Sequence, residues 1–182
     1  MSLLLLIDGY NLSQPIAPSS APPPGWLENN RRVLLRDLTN HLPDAVRDQT
    51  CVVFDAADPP RDRPDRYTQQ GIDIQFAVRH ASADELLQEI IRAHHTPKRL
   101  MVVSSDHQVQ LAAKRRGAKF FDSQPWLDDL TDGKLHLAVK LPQPPGNPSD
   151  QDGGAGQGTR QKPGPVAPEE VSDWLREFGF ED

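Results

Sequence analysis

The sequence is poor in cysteine and in long apolar runs, and each shortage excludes a class of protein. Cys51 is the only cysteine among 182 residues, so neither an intramolecular disulfide nor a cysteine-based zinc site can form. The longest apolar run, Leu3 to Ile7, is far shorter than the roughly 20 residues that a membrane-spanning helix needs. No basic region precedes that run, as one would in a signal peptide. We therefore expect a cytoplasmic protein that does not enter a membrane.

The chain also lacks an excess of positive charge, and its net charge of −6 is distributed unevenly. Residues 1–141 contain 17 Lys and Arg against 18 Asp and Glu, whereas residues 142–182 contain 3 against 8. Most of the excess negative charge therefore lies in the C-terminal part. A nearly neutral domain can still carry a basic face if its acids are concentrated elsewhere.

The composition changes near residue 142 and divides the chain into three parts. Residues 142–167 contain six prolines and six glycines, which predicts a flexible linker because such a segment buries too little apolar surface to become ordered. We predict one domain over residues 1–141, this linker, and an amphipathic helix over residues 168–182 that docks on its own domain or on a protein partner. Four apolar side chains share one face of that helix: Val171, Trp174, Leu175 and Phe178.

Residues 1–141 alternate short apolar runs with helical periodicity, which predicts an α/β fold with a parallel sheet covered on both faces. The predicted strands are Leu3–Ile7, Cys51–Phe54, Ile72–Val78, Leu100–Val103 and Ala118–Phe121. The predicted helices are Trp26–Leu42, Ala83–His94, His107–Arg116 and Pro125–Leu130. The segment from Ser13 to Gly25 holds five prolines and is predicted to be a long loop above the first strand, of a kind that is often functional.

Acidic residues follow the predicted strands. Asp8 and Asp55 come directly after the first and second strands, Asp106 comes shortly after the fourth, and Asp84 opens the helix after the third. Ligands of an open parallel sheet bind at the carboxyl ends of its strands. Clustered carboxylates repel one another and need a compensating cation. Since the set offers only oxygen ligands, the sequence predicts Mg²⁺ or Mn²⁺.

Several of these acids also have a purely structural interpretation. Asp106 is in position to cap the helix that follows it. Ser82 and Glu85 form a capping box in which Glu85 bonds back to the Ser82 backbone, which leaves Asp84 free to face the strand ends. Asp58, which precedes a proline, is typical of a turn. The metal-site hypothesis therefore depends on the coincidence of four acids rather than on any one of them.

Four short segments carry a resemblance to a known family. They occur in the order Leu-Ile-Asp-Gly-Tyr-Asn at residues 6–11, Val-Phe-Asp-Ala at 53–56, Ser-Ala-Asp-Glu at 82–85 and Val-Ser-Ser-Asp at 103–106. This ordered set resembles the motifs of the NYN domains, which are PIN-like nucleases, and in particular their YacP-like branch. The resemblance covers about residues 3–125.

The resemblance implies a three-layer α/β/α sandwich and metal-dependent cleavage of RNA. It implies that three acids bind the metal: Asp8, Asp84 and Asp106. Asp55 would complete the acidic cluster, and Asn11 and Ser105 would orient ligands or water. It further implies association with the ribosome or with RNA-processing machinery. We therefore predict an endoribonuclease that acts on single-stranded RNA.

Basic and aromatic residues provide candidate substrate contacts. Arg61, Arg63 and Arg66 follow the second acid in a predicted loop and are candidates for contacting the phosphate backbone. A second basic cluster comprises Lys114, Arg115, Arg116 and Lys119. Three aromatic residues are candidates for stacking on bases: Tyr10, Tyr67 and Trp26.

Two other functions remain open. A receiver-like domain that accepts a phosphoryl group also places Asp at the ends of parallel strands. Such a domain needs an acidic pair after the first strand and a Lys after the fifth, whereas Asp8 is followed by Gly9 and Asp122 stands after the fifth strand. The other alternative is a catalytically inactive RNA-binding domain that keeps the fold.

Overall fold

The computed structural model describes residues 3–13, 25–56 and 64–141. The strands in this part of the chain are β1 (Leu5–Asp8), β2 (Thr50–Phe54), β3 (Arg66–Gln69), β4 (Ile72–Phe76), β5 (Met101–Val103) and β6 (Lys119–Phe121). The helices are α1 (Gly9–Ser13), α2 (Trp26–His41), α3 (Asp44–Arg47), α4 (Ala83–Ala93), α5 (His107–Arg116) and α6 (Ser123–Thr131), with a 3₁₀ turn at Pro97–Arg99.

The six strands form one sheet in the order β3-β4-β2-β1-β5-β6. Only β3 runs antiparallel to its neighbour, so the predicted mostly parallel sheet is confirmed. Leu6, at its centre, lies opposite Cys51 on one side and Val102 on the other. If the five parallel strands alone are numbered 1 to 5 in chain order, they lie across the sheet in the order 3-2-1-4-5. In receiver-like folds the order across the sheet is 2-1-3-4-5. The receiver-like alternative is therefore wrong.

Helices cover both faces of the sheet, as the three-layer prediction requires. Side chains alternate between the two faces of a strand, so Leu5 and Ile7 of β1 enter one core layer and Leu6 enters the other. The first layer holds buried residues of α2 and α6, including Leu38 and Trp126. The second layer holds buried residues of α4 and α5.

The structure contains three elements that the sequence analysis did not predict: α1, α3 and β3. Three of the four β3 residues are exposed, so the strand lacks the apolar alternation that signals a half-buried strand. It forms by pairing with β4 across a two-residue turn in which Gln70 (φ 52°) and Gly71 (φ 87°) both have positive φ, the geometry of a type I′ hairpin. Arg66 was predicted to lie in a loop, and this is wrong because it begins β3.

Several predicted features lie outside the described residues. These are most of the proline-rich loop after Ser13, the residues Asp58, Arg61 and Arg63, and the whole of 142–182 with its predicted linker and helix. The described compact unit ends at Leu141. Among the described residues, no helix is both long enough and apolar enough to cross a membrane.

Candidate active site at the carboxyl edge of the sheet

The structure brings the four predicted acids to the carboxyl edge of the sheet. Asp8 ends β1, Asp55 follows β2, Asp84 lies in the first turn of α4, and Asp106 is the N-cap of α5. They are near enough to affect one another's ionisation. The charges of Asp84 and Asp106 help to raise the pKa of Asp8, and those of Asp106 and Asp55 help to raise the pKa of Asp84. We call these four residues the acid cluster.

Asp8 is the most deeply buried member of the acid cluster, with 4% of its surface exposed. Both of its carboxylate oxygens accept hydrogen bonds, one from the Ser104 hydroxyl at 2.9 Å and one from the Asn11 backbone N–H at 3.2 Å. Burial raises the pKa of Asp8 to about 6, the two hydrogen bonds oppose that rise, and the nearby acids add to it. Ionised Asp8 is thus held in a fixed orientation in a place that disfavours its charge.

Asp106 caps α5, and its predicted role as a metal ligand stays a prediction. One carboxylate oxygen accepts the backbone N–H groups of Gln108 at 2.8 Å and Val109 at 2.9 Å, which caps α5. The backbone N–H of Asp106 donates to the Ser104 hydroxyl at 3.0 Å. Within the described residues, the second carboxylate oxygen has no hydrogen-bond partner. The cap therefore fixes the side chain and leaves one oxygen free at the acid cluster.

Asp84 and Glu85 are adjacent on α4 but serve different purposes. The Glu85 backbone N–H donates to the Ser82 hydroxyl at 3.4 Å, and the Glu85 carboxylate accepts the Ala81 N–H at 2.8 Å. The predicted partner of that carboxylate was the backbone of Ser82, so the prediction is wrong by one residue, because the chain before α4 turns its Ala81 N–H toward the carboxylate. Asp84 takes no part in the cap, and burial, then Asp106 and Asp55, raise its pKa.

Asn11 and Ser105 tie three segments together behind the acid cluster. The Asn11 side-chain oxygen accepts the Ser105 backbone N–H at 3.1 Å and the Ser123 hydroxyl at 3.0 Å. The Ser105 hydroxyl accepts the Ser123 backbone N–H at 3.0 Å. Through these bonds α1, the loop after β5 and the start of α6 hold one another. The predicted role of Asn11 and Ser105 in orienting ligands or water stays a prediction, and the structure adds a positioning role.

The sequence analysis missed two buried serines of this network, Ser104 and Ser123. Both are almost fully buried. Ser104 directly follows β5, and Ser123 comes two residues after the end of β6. Ser104 links Asp8 to Asp106, since its hydroxyl donates to the first residue and accepts from the backbone of the second. Their position after parallel strands was the one available signal, because polar residues there face the site rather than the core.

Gly9 lets α1 approach the end of β2. A Cβ atom at this position would lie 2.2 Å from the Phe54 ring, so only glycine fits without displacing a buried aromatic. Tyr10 packs edge-on against the same ring, with 5.2 Å between the ring centroids, and its hydroxyl accepts a hydrogen bond from the buried Arg31 at 2.7 Å. Tyr67 stacks on Phe76. Tyr10 and Tyr67 therefore each have a packing role, and their predicted stacking on bases stays a prediction.

Arg66 is directed toward a carboxylate of the neighbouring strand. Its Nε–H donates to Asp73 at 2.7 Å, which also accepts from the Gln75 side chain at 2.8 Å. The structure thus gives Arg66 a role in holding β3, and its contact with a phosphate backbone stays a prediction.

Asp73 also affects the ionisation of Cys51. Burial, followed by the charge of Asp73, raises the pKa of the Cys51 thiol, so this cysteine is protonated at neutral pH.

The carboxylate oxygens of the acid cluster fit a hard divalent ion that takes its remaining ligands from water. Within the described ranges, no three His, Cys, Asp or Glu side chains lie close enough together to hold one ion. Mg²⁺ commonly binds through one or two carboxylates and completes its shell with water and phosphate oxygens. Asp8, Asp84 and Asp106 provide such oxygens. Burial, followed by repulsion from the other acids, raises the pKa of Asp8 and Asp84, and a cation beside them would offset that rise.

The order of motifs and the geometry of this edge agree with a comparison of the whole chain with known families. The model of the YacP-like NYN domain matches residues 5–145. The chain belongs to this family. NYN domains are in general nucleases that depend on a divalent metal, so family membership supports an RNA-related nuclease role for this YacP-like NYN domain.

Solved structures support the fold of the YacP-like NYN domain. It is similar to the crystal structure of Rae1 (YacP) from Bacillus subtilis, with a TM-score of 0.54 and 22% identity over 72% of this chain and 75% of that chain. A tryptophan-to-leucine mutant of the same protein gives a TM-score of 0.50 and 21% identity over 72% and 76% of the two chains. No curated protein matches this chain.

Proposed function

We propose that this YacP-like NYN domain is a cytoplasmic endoribonuclease that uses Mg²⁺ or Mn²⁺ to hydrolyse single-stranded RNA at the acid cluster. The observation that carries the proposal is the state of Asp8. This carboxylate is buried at the end of β1, its pKa is raised to about 6, and Asp84 and Asp106 contribute to that rise. Groups with strongly shifted pKa values at strand ends are typical of functional sites.

Asp8, Asp84 and Asp106 would provide the carboxylate ligands of the metal, one or two of them to a single ion whose shell water completes. Asp55 would extend the negative charge next to Asp84. A bound divalent ion supplies charge stabilisation on the phosphate and activates water. The protein contributes orientation. Ser104 and the Asn11 N–H fix the two oxygens of Asp8, and the start of α5 fixes one oxygen of Asp106. Carboxylates that are held in place in this way need no rearrangement when substrate arrives.

Residues beyond the acid cluster would position the RNA. Asn11 and Ser105 lie at the same edge, where they hold α1 against the loop that carries Asp106. Arg61, Arg63 and Arg66 belong to the segment after Asp55, where cations would contact the phosphate backbone. Association with the ribosome or with RNA-processing machinery is part of the same proposal.

Cleavage of labelled RNA by the purified full-length protein tests the proposal. We expect single-stranded RNA to be cut in Mg²⁺ or Mn²⁺ but not in EDTA, and matched duplex RNA to be cut more slowly. Asp8→Asn and Asp106→Asn should each reduce the rate by at least about 100-fold, since a metal ion contributes several kcal/mol to transition-state stabilisation. Asn caps helices as well as Asp, so Asp106→Asn keeps α5 intact. Asp132→Asn, at an exposed position outside the acid cluster, should cleave like the wild type.

A catalytically inactive RNA-binding domain is the second candidate. The observation that favours it is that, among the described residues, no three ligand-type side chains come close enough together to hold one ion. This candidate predicts RNA binding that is unchanged by EDTA and no cleavage in either metal. Cleavage that disappears in Asp8→Asn while RNA binding persists would exclude it.

A further inference from the structure

At the edge of the sheet opposite the acid cluster, the part where β5 and β6 begin is strongly basic. Between Ile90 and Phe121 the sequence holds seven Lys and Arg residues and a single acid, Asp106, which belongs to the acid cluster at the other edge. Helices of a parallel sheet run back against the strands, so the ends of α4 and α5 meet the 3₁₀ turn and the start of β6 at the amino edge. We call the seven cations there the basic edge: Arg92, Lys98, Arg99, Lys114, Arg115, Arg116 and Lys119.

Contacts in the structure bring these separate segments together. α5 packs beside α4 and touches the 3₁₀ turn Pro97–Arg99, which also touches β6. The Arg116 guanidinium donates to the backbone carbonyl of His94 at 2.9 Å, which joins the last turns of α5 and α4. All seven cations of the basic edge are exposed. The basic edge therefore brings four segments together at one end of the sheet. Lys119 lies on the face opposite α5, because its partner Met101 is in the core layer under α2 and α6.

The charges of the basic edge are not neutralised within the described part of the domain. The ion pairs found there involve other residues, and none includes a cation of the basic edge. One cation of the basic edge, Arg116, contributes to a pKa shift of the neighbouring His94. Burial first, and then the charges of His95 and Arg116, lower the pKa of His94. A helix C-terminus stabilises cations in its last turn, but that effect does not reach the 3₁₀ turn or β6.

Phe120 follows Lys119 in β6. It is 41% exposed, and among the described Phe, Tyr and Trp residues it is the one classed as exposed. It belongs to β6, which is an edge strand, and its partner Val102 is in the core layer under α4 and α5. Phe120 therefore lies on the face of the sheet that α5 covers. Cations that contact phosphates next to an exposed aromatic ring are typical of surfaces that bind single-stranded nucleic acid.

We propose that the basic edge and Phe120 bind single-stranded RNA outside the cleavage site. This inference rests on the proposed function, because it assigns the same RNA a second contact. α5 begins at the acid cluster and ends at the basic edge, so its 10 residues separate the two surfaces by about 15 Å at roughly 1.5 Å per residue. An RNA longer than the segment at the acid cluster would run along α5, with phosphates on the cations and a base on Phe120.

Binding measured in EDTA tests this surface without any need for cleavage, so its outcome is independent of the proposed function. The probe is a fluorescein-labelled oligouridine of about 16 nucleotides, near the upper end of single-strand site sizes. Fluorescence anisotropy is recorded across a salt series with full-length protein. The variant Lys98→Gln/Lys114→Gln/Arg115→Gln removes three cations but retains Arg116, which holds α4 to α5. Arg36→Gln/Lys134→Gln/Lys140→Gln is the control, since it removes the same residue types at exposed positions outside the basic edge.

We expect the basic-edge variant to bind roughly tenfold or more weakly, and the slope of log K against log salt to become less steep by about 2, at roughly 0.7 for each phosphate contact. The control variant should match the wild type. Phe120→Ala should weaken binding by roughly fivefold or more without changing the salt slope, and Phe120→Leu should not restore it, because stacking needs a ring. An oligouridine of about 4 nucleotides should bind the wild type and the basic-edge variant more nearly equally.

Two results would overturn the inference. The first is that the basic-edge and control variants have the same affinity for the oligouridine, whether both lose affinity equally or neither loses any. Thermal melting confirms that both variants are folded. The second is charge-dependent binding of the wild type to vesicles that contain phosphatidylserine, together with no binding to the oligouridine, which would identify the basic edge as a surface for anionic lipid.

Discussion

The acid cluster and the basic edge, which lie at opposite edges of the sheet, carry opposite charge and are built in different ways. At the carboxyl edge, acids from distant segments are held by buried groups, and the Ser104–Asp8 hydrogen bond joins residues 96 positions apart. At the amino edge, the seven cations of the basic edge all lie between residues 92 and 119, are exposed, and have no ion pair among the described residues. Charge is costly only where it leaves water. The acid cluster is therefore where stability and function compete, and the basic edge can be changed at little cost to folding.

The largest difference should appear between two neighbouring acids of α4. We expect Asp84→Asn to reduce RNA cleavage by at least about 100-fold, because it removes an oxygen donor from the acid cluster. Glu85→Gln should keep activity within about twofold, because the amide oxygen of Gln still accepts the Ala81 N–H in the capping interaction. Cleavage rates at saturating Mg²⁺ compare the two variants. Equal losses in both would show that the start of α4 matters only as a structural cap.

The buried charge of Asp8 predicts a pH-dependent stability difference. The native pKa of about 6 lies above the ordinary value of 3.8, so the native state binds this proton more tightly than the unfolded state. The wild type therefore loses stability relative to Asp8→Asn as pH rises through this window. Between pH of about 4.5 and about 7.5 the difference should grow by about 2 kcal/mol, at roughly 1.36 kcal/mol per pKa unit.

Urea unfolding of both proteins in EDTA measures this difference at each pH. In the plots of unfolding free energy against pH, loss of the Asp8 hydrogen bonds to Ser104 and Asn11 shifts the Asp8→Asn curve by a constant amount. It does not change how the difference between the two curves varies with pH. Curves that stay parallel across the window would show that Asp8 ionises normally in the native state.

A pair of glycines, one at each edge, should differ in the cost of an added methyl group. Gly9→Ala places a Cβ atom 2.2 Å from the Phe54 ring, and overpacking of this kind costs about 3 kcal/mol. Gly117→Ala meets nothing within 4 Å, so only its positive φ of 74° is unfavourable, at about 1 kcal/mol. Unfolding free energies compare the two. Phe54→Leu should recover part of the loss in Gly9→Ala, and strict additivity of the two changes would contradict the predicted clash.

The smallest effect should come from neutralising the basic edge. Lys98→Gln/Lys114→Gln/Arg115→Gln should change the free energy of unfolding by no more than about 0.5 kcal/mol, because all three side chains are exposed and lack ion pairs within the described residues. Removing repulsion among the cations raises the free energy of unfolding, and losing their interaction with the C-terminal end of α5 lowers it, so the two effects oppose each other. Thermal melting at low and high salt measures the change. A loss of several kcal/mol would mean that these cations hold the fold together.

The sequence predicted most strongly the elements that have a clear local signal. The bounds of α5 match the prediction, because Asp106 at its start and Gly117 at its end are both cap residues. The central strands β2 and β5 were found from short apolar runs, since each is buried on both faces. The strand β3 was missed because its residues are mostly exposed, and it exists only through pairing with β4.

By itself, the sequence determined the class of fold, the order of the parallel strands along the chain, and the placement of Asp8, Asp55, Asp84 and Asp106 at the carboxyl edge of the sheet. These follow from local periodicity and from the rule that parallel strands end at one edge. Only the tertiary structure decided how deeply Asp8 is buried, that Ser104 holds it, that Arg66 pairs with Asp73, and that four basic segments meet at one end of the sheet. Burial, pKa and the meeting of separate segments depend on contacts between residues far apart in the chain, and no local pattern encodes them.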